Sequence, residues 1–241
     1  MNAQPARTAI VLGASGSVGQ ALLAEIERSP QFSHVIVIAR RPMGSHTSAS
    51  AKVVERLVPD MQPQALQQAV VDALTVCDGE AVGFSVMGVG AGTAQLSLAE
   101  HRAVDVDLNA AFARGLQASG RVRHLAFMSA IGADIRAKAT GSGAAGMPRY
   151  CRVKGEAEEA VCRQGLDVVS IFRPSVIVGS RHTPGLLASA LSLLAPVIPA
   201  RYRPIRTAEI ARAMVAAALS APDRSTIFGY TDMQALIAHA A

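Results

Sequence analysis

The chain has no tryptophan, only three tyrosines and six phenylalanines, so aromatic rings cannot carry its core. Alanine, valine and leucine must supply most of the packing, which suits helices laid closely on a buried sheet. Its three cysteines, Cys77, Cys151 and Cys162, show neither a C-x-x-C pair nor His/Cys spacing. That pattern argues against a disulfide framework and against a structural zinc site. The six histidines are scattered, and no metal is expected. No apolar run reaches the roughly 18–20 residues needed to span a membrane. The segment 186–198 is too short and contains Pro196. The opening MNAQPARTAI reads as neither export signal nor anchor. A soluble, reducing, cytoplasmic setting is therefore the expectation.

Charge adds one further exclusion. Lys plus Arg number 23 against 18 Asp plus Glu, a formal +5 carried almost entirely by arginine. The arginines are dispersed, with local pairs at Arg40–Arg41, Arg121–Arg123 and Arg201–Arg203. There is no basic tail and no basic run studded with aromatics, so nucleic acid is not an expected partner. An anionic cofactor accounts for part of the excess.

Half of the residues are hydrophobic, enough for one substantial core over 1–241. Strands over 8–12, 35–39, 53–58, 81–87, 124–128 and within 167–178 read as continuous apolar runs. They alternate with helices over 18–26, 64–74, 98–118 and 149–163. That rhythm predicts an α/β fold: a doubly wound parallel sheet of Rossmann type, covered on both faces. Segments 43–51, 88–92 and 133–148 read as loops, the last with the Ala, Gly and Ser content of a mobile active-site loop. After Gly179 the rhythm changes. A helix over 182–199, a helix capped by Thr207 with Glu209 in its first turn, a strand over 226–230 and a last helix from Asp232 are expected. Residues 180–206 and these C-terminal elements are assigned to a small substrate-facing cap on the single domain.

The sharpest local signal is Ile10-Val11-Leu12-Gly13-Ala14-Ser15-Gly16-Ser17-Val18-Gly19, directly after a strand and directly before a helix. Gly13 permits a tight turn, Gly16 lets backbone approach a diphosphate, and Gly19 permits close helix–strand packing. Amides around Ser17 and Val18 at the helix start favour an anion, with the Ser15 and Ser17 hydroxyls as further donors. No lysine follows the last glycine, so a nucleoside-triphosphate P-loop fits poorly. At the end of the second strand stand Ala39, Arg40 and Arg41, with no carboxylate to accept ribose hydroxyls. Arginine pairs well with a 2′-phosphate, so NADP is expected rather than NAD. Asp60, just beyond the third strand, is placed either to bond adenine or to form a turn, and Met87 and Gly88 complete the cofactor-facing set at the exit of the fourth strand.

Tyr150 and Lys154 are four apart in a helical segment and so share a face. A lysine ammonium beside a phenol favours phenolate, which makes the pair a proton-transfer device. Ser129, at the exit of the fifth strand, is placed to polarise a substrate oxygen. Taken singly, Tyr150 reads as a surface aromatic, Lys154 as a solvated helix residue and Ser129 as a loop cap. Together they form a set suited to carbonyl reduction or alcohol oxidation. Glu156, Glu158 and Glu159 read as a polar helix face, and no role is assigned to Asn109, Asp105 or Asp107.

The GASGSVG turn with Ser129, Tyr150 and Lys154 resembles the short-chain dehydrogenase/reductase superfamily. Val82-Gly83-Phe84, Ser129-x-x-Gly132-Ala133-Asp134, Tyr150-x-x-x-Lys154-Gly155-Glu156 and Phe172-Arg173-Pro174 are similar to its atypical branch of Tat-interacting-protein-type oxidoreductases. The likeness runs from about residue 9 to 219. It implies an NADP-binding reductase or dehydrogenase acting on a small carbonyl or alcohol, with Pro174 and Val176 beside the nicotinamide. The alternative is a non-catalytic NADP-sensing protein with a protein partner; monomer and homodimer both stay open. An epimerase or dehydratase would need a larger cap than this chain can build.

Overall fold

Strand β1 (Arg7–Leu12) buries Ala9, Ile10, Val11 and Leu12 completely in the computed structural model, which describes residues 7–44, 51–77, 79–179 and 198–240. Successive side chains of a strand point to opposite faces, so four consecutive buried residues demand cover on both sides. Ala9 and Val11 enter one core layer, Ile10 and Leu12 the other. Strand β2 (Phe32–Ala39) repeats the division, Val35 and Val37 on one side and Ile36 and Ile38 on the other.

Seven parallel strands result, in the order β3 (Val53–Leu57), β2, β1, β4 (Ala81–Ser85), β5 (Val122–Met128), β6 (Val168–Phe172) and β9 (Thr226–Phe228). Helices α1 (Ser17–Arg28) and α6 (Thr207–Leu219) cover one face. The other face is covered by α2 (Pro63–Thr75), by a long helix over 98–118 and by α5 (Pro148–Cys162). A final helix, α7 (Tyr230–Ala240), buries Met233 in the α1–α6 layer. This is the expected doubly wound fold. Strand order reverses between β1 and β4, and in such sheets ligands bind outside the carboxyl ends at the reversal.

The long helix departs from the expected regular element. It consists of α3 (Leu98–Arg102), a π-helical stretch Ala103–Leu108 and α4 (Asn109–Ala118). The expected sixth strand divides into β6 and a two-residue β7 (Ile177–Val178), which leaves the main sheet to pair with β8 (Ile205–Arg206). Thr207 does not cap α6: Arg206 holds that position, and its N–H donates to Glu209 Oε2 at 2.9 Å. The last helix starts at Tyr230, and Asp232 accepts from Gly229 N–H at 2.8 Å. Residues 180–197, carrying most of the expected cap, lie outside the described residues. The later elements α6 and β9 are built into the main layers.

His124 on β5 is buried, with Nε2 2.9 Å from Ser170 Oγ on β6. Burial, aided by the Arg7 charge, lowers its pKa to about 4. The unfolded chain takes up this proton near 6.5 and the folded chain only near 4, so stability falls as pH drops through that window. The depression corresponds to about 3 kcal/mol. Urea unfolding of wild type and His124→Gln should diverge between pH 6.5 and 4, the variant lacking that share of acid sensitivity. Parallel pH profiles would refute the assignment.

Candidate active site

Gly13 leaves β1 with φ +89°, a conformation costly for any residue bearing a side chain. A methyl group there would meet Met87 N at 2.7 Å, because the turn passes directly over the end of β4. Val86 N–H donates to Leu12 O at 3.0 Å and holds the two strand exits together. Gly19 is also obligatory, but against a different neighbour than expected. Its added methyl would stand 2.1 Å from Gly13 O, so α1 packs on its own turn. Gly16 is exposed, caps α1 without a side-chain hydrogen bond, and would bring an added methyl no closer than 3.5 Å to its surroundings. No acidic residue occupies the first turn of α1. Backbone donors at a helix start with no competing carboxylate suit a diphosphate.

A cleft of about 590 Å³ opens beside this turn, lined among others by Gly13, Ser15, Arg40, Asp60, Met87 and Gly88. Its size is that of a small-molecule or cofactor site. Arg40 and Arg41 are both exposed, and Arg40 lines the cleft just past the end of β2 together with Asp60, while the Glu55 carboxylate is engaged by Met43 N–H at 3.3 Å. Val18 and Gly19 are buried beneath the turn. Pro174 is buried and Val176 exposed, each bonded through its carbonyl, to Ile131 N–H and Ile205 N–H respectively.

Pro148 starts α5, where its missing N–H costs nothing, and the helix carries Tyr150 and Lys154 on one face. Lys154 Nζ lies 5.7 Å from the centre of the Tyr150 ring. Gly155 lets the helix rest on the chain after β5, since a methyl there would meet Ile135 N at 2.3 Å. Ser129 N–H donates to Phe172 O at 2.8 Å, and the Ser129 hydroxyl is buried without a hydrogen-bond partner among the described residues. Such a group is expensive to leave unpaired.

The electrostatics differ from the sequence expectation. Lys154 Nζ is 2.5 Å from Asp105 Oδ1, and both side chains are almost fully buried. Burial opposes the ammonium charge, but Asp105 outweighs it, with help from Tyr150 and Glu158, and raises the Lys154 pKa. The expected pull on Tyr150 is consequently offset. Burial raises the phenol pKa, and the lowering by Lys154 does not overcome burial together with Asp105 and Cys151. Tyr150 in the free protein is a phenol.

Several site residues have no local signature. Asp105 lies in the π stretch, and His101, wholly buried, has its ring centre 5.9 Å from that of Tyr150. Burial holds the His101 imidazole below its ordinary value despite Asp105 at 3.8 Å. Asn109 ties the helix to β4, accepting from Ser85 Oγ at 2.5 Å and donating to Asp105 O at 2.9 Å. The polar face expected of α5 is corrected in part. Glu158 is buried and holds Arg173 through two bonds, at 2.8 and 2.5 Å, fixing the exit of β6. Glu156 is shared by Arg102 and Arg152. Among the described residues no cluster suits a metal ion, and no helix is long and apolar enough to cross a membrane.

The sequence pattern of the NAD(P)H-binding family matches residues 13–221. Over 186 residues the chain is 27% identical to protein FMP52-1, mitochondrial, of Scheffersomyces stipitis, covering 77% of this chain and 74% of that protein. Over 177 residues it is 28% identical to protein HTATIP2 of Rattus norvegicus, covering 73% and 65% respectively. A UDP-glucuronic acid 4-epimerase from Bacillus cereus shares the fold with a TM-score of 0.66 at 12% identity, over 92% of this chain and 77% of that one. A short-chain dehydrogenase/reductase from Serratia marcescens does so with a TM-score of 0.64 at 19% identity, over 95% and 98%. The cytoplasmic expectation is corrected here. Several fungal relatives are designated mitochondrial, a distinction that composition alone does not encode. With a glycine turn at the reversal point of its sheet, the chain belongs to the NAD(P)H-binding family and shares the fold of a short-chain dehydrogenase/reductase.

Proposed function

We propose that the protein is an NADP-dependent reductase of small carbonyl compounds, or in reverse an alcohol dehydrogenase. The observation that carries this reading is Lys154 Nζ 5.7 Å from the Tyr150 ring and 3.3 Å from where a methyl on Gly88 would stand, Gly88 lining the same cleft as the glycine turn although Tyr150 and Lys154 do not line it themselves. Gly13, Ser15, Gly16, Ser17, Val18 and Gly19 form the turn for the diphosphate, with Arg40 and Arg41 for a 2′-phosphate and Asp60 near the adenine. Met87, Gly88, Pro174 and Val176 would flank the nicotinamide end. The bound cofactor supplies the hydride. Tyr150 delivers the proton to the carbonyl oxygen, Ser129 donates a hydrogen bond to that oxygen, and Lys154 orients the ribose end.

Purified protein should oxidise NADPH in the presence of a panel of aldehydes and ketones. Arg40→Ala together with Arg41→Ala should cut NADPH affinity by about tenfold or more, the value of a charge-assisted pair, while NADH affinity changes little. Equal losses for both cofactors would sink the NADP assignment. Cofactor binding without turnover on any carbonyl would instead make the chain an NADP-sensing protein that acts through a protein partner.

A further inference from the structure

The Asp105 carboxylate joins three separate parts of the chain. It lies in the π stretch of the long helix, its Oδ1 is 2.5 Å from Lys154 Nζ on α5, and its Oδ2 accepts from Val89 N–H at 3.0 Å in the loop after β4. The fit around this junction is tight. A methyl group on Gly88 would come within 3.2 Å of Asp105 Oδ1 and 3.3 Å of Lys154 Nζ. Gly88 also lines the cleft, so the clamp reaches the wall of the site.

We propose that Asp105 is a positioning residue, which clamps Lys154 to the glycine loop and neutralises its charge locally, so that Tyr150 is presented to substrate as a proton donor. The inference deepens the reductase reading and rests on it for the role of Tyr150. Two opposite charges one hydrogen bond apart act on a ring 5.7 Å away as a dipole, much weaker than a lone ammonium. The other groups facing the pair do not replace Asp105. Glu158 is committed to Arg173, while His101 is held neutral by burial, and Arg149 turns its guanidinium to Thr93 O and Leu96 O. Cys151, beside Tyr150, is a thiol whose ionisation burial disfavours. A buried ammonium stripped of its counter-ion is strongly disfavoured, so Asp105 is what keeps Lys154 charged.

Lysine occurs only at Lys52, Lys138 and Lys154, so ¹⁵N-lysine NMR of the cofactor-free protein resolves the question. Signals are assigned through Lys52→Arg and Lys138→Arg. In wild type the Lys154 amine should lose its proton at higher pH than the exposed Lys138. In Asp105→Asn it should lose it below Lys138, a fall of about one unit or more. The alkaline limb of kcat/KM for carbonyl reduction should move to lower pH as well. Removing a negative charge eases proton loss from the Tyr150–Lys154 pair, whichever member gives it up. Wild-type Lys154 titrating with or below Lys138 would overturn the proposal without need of any variant, as would an unchanged Lys154 titration in Asp105→Asn. Failure of every carbonyl substrate alongside the predicted titrations would refute the reductase reading and leave the clamp standing.

Discussion

Tyr150→Phe is expected to lower NADPH-dependent carbonyl reduction by about a thousandfold, with NADPH affinity nearly unchanged. A positioned proton donor contributes roughly 10²–10⁴ in rate. A thousandfold loss corresponds to about 4 kcal/mol of transition-state stabilisation. Phenylalanine keeps the ring against His101 and removes only the hydroxyl, so folding should be preserved. Because burial and Asp105 hold the phenol above its ordinary pKa, wild-type reduction should persist well into alkaline pH. Alcohol oxidation, which needs the phenolate, should be slow near neutrality and rise as pH increases. Steady-state rates in both directions, measured against pH, check the point. A Tyr150→Phe protein with wild-type turnover would remove this residue from the mechanism.

The second large effect separates the two uses of glycine in the turn. Gly19→Ala places a methyl 2.1 Å from Gly13 O and 2.7 Å from Ala14 Cα, backbone atoms that cannot swing aside. It should cost about 2–3 kcal/mol of stability, the range for overpacking, and take cofactor binding down with the turn. Gly16→Ala has ordinary backbone angles, φ −74° and ψ 166°, and meets nothing closer than 3.5 Å. Its methyl projects instead where a diphosphate would approach. That variant should keep its urea midpoint while losing NADPH affinity by about tenfold or more, at least 1.4 kcal/mol of binding. Intact NADPH binding in Gly16→Ala would mean that the diphosphate is held elsewhere.

These outcomes bear on what was legible in the residues themselves. The buried strands could be read because Ala9, Ile10, Val11 and Leu12 are apolar without alternation, a pattern that only a sheet covered on both faces explains. The turn at Gly13 is marked by its spacing alone and has φ +89°, while Gly19, expected to ease helix–strand packing, packs on the turn itself. Glu158 looked like a solvated helix residue because its partner, Arg173, is 15 positions away across the α5–β6 connection. The π stretch has no composition signal, since Ala103–Leu108 reads as ordinary amphipathic helix.

Sequence by itself determined the layered α/β architecture, the place of the glycine turn and the shared face of Tyr150 and Lys154. Each depends on neighbours within a few residues, where strand alternation, helical repeat and glycine's freedom leave direct marks. Tertiary structure alone decided the charge state of the site. Asp105 and Lys154 are 49 residues apart, and only the packing of the long helix on α5 brings them within a hydrogen bond in surroundings from which water is excluded. There burial of the amine is overcome by Asp105 together with Tyr150 and Glu158, and burial first, then Asp105, keeps the phenol protonated, because interactions between charges grow as solvent is removed.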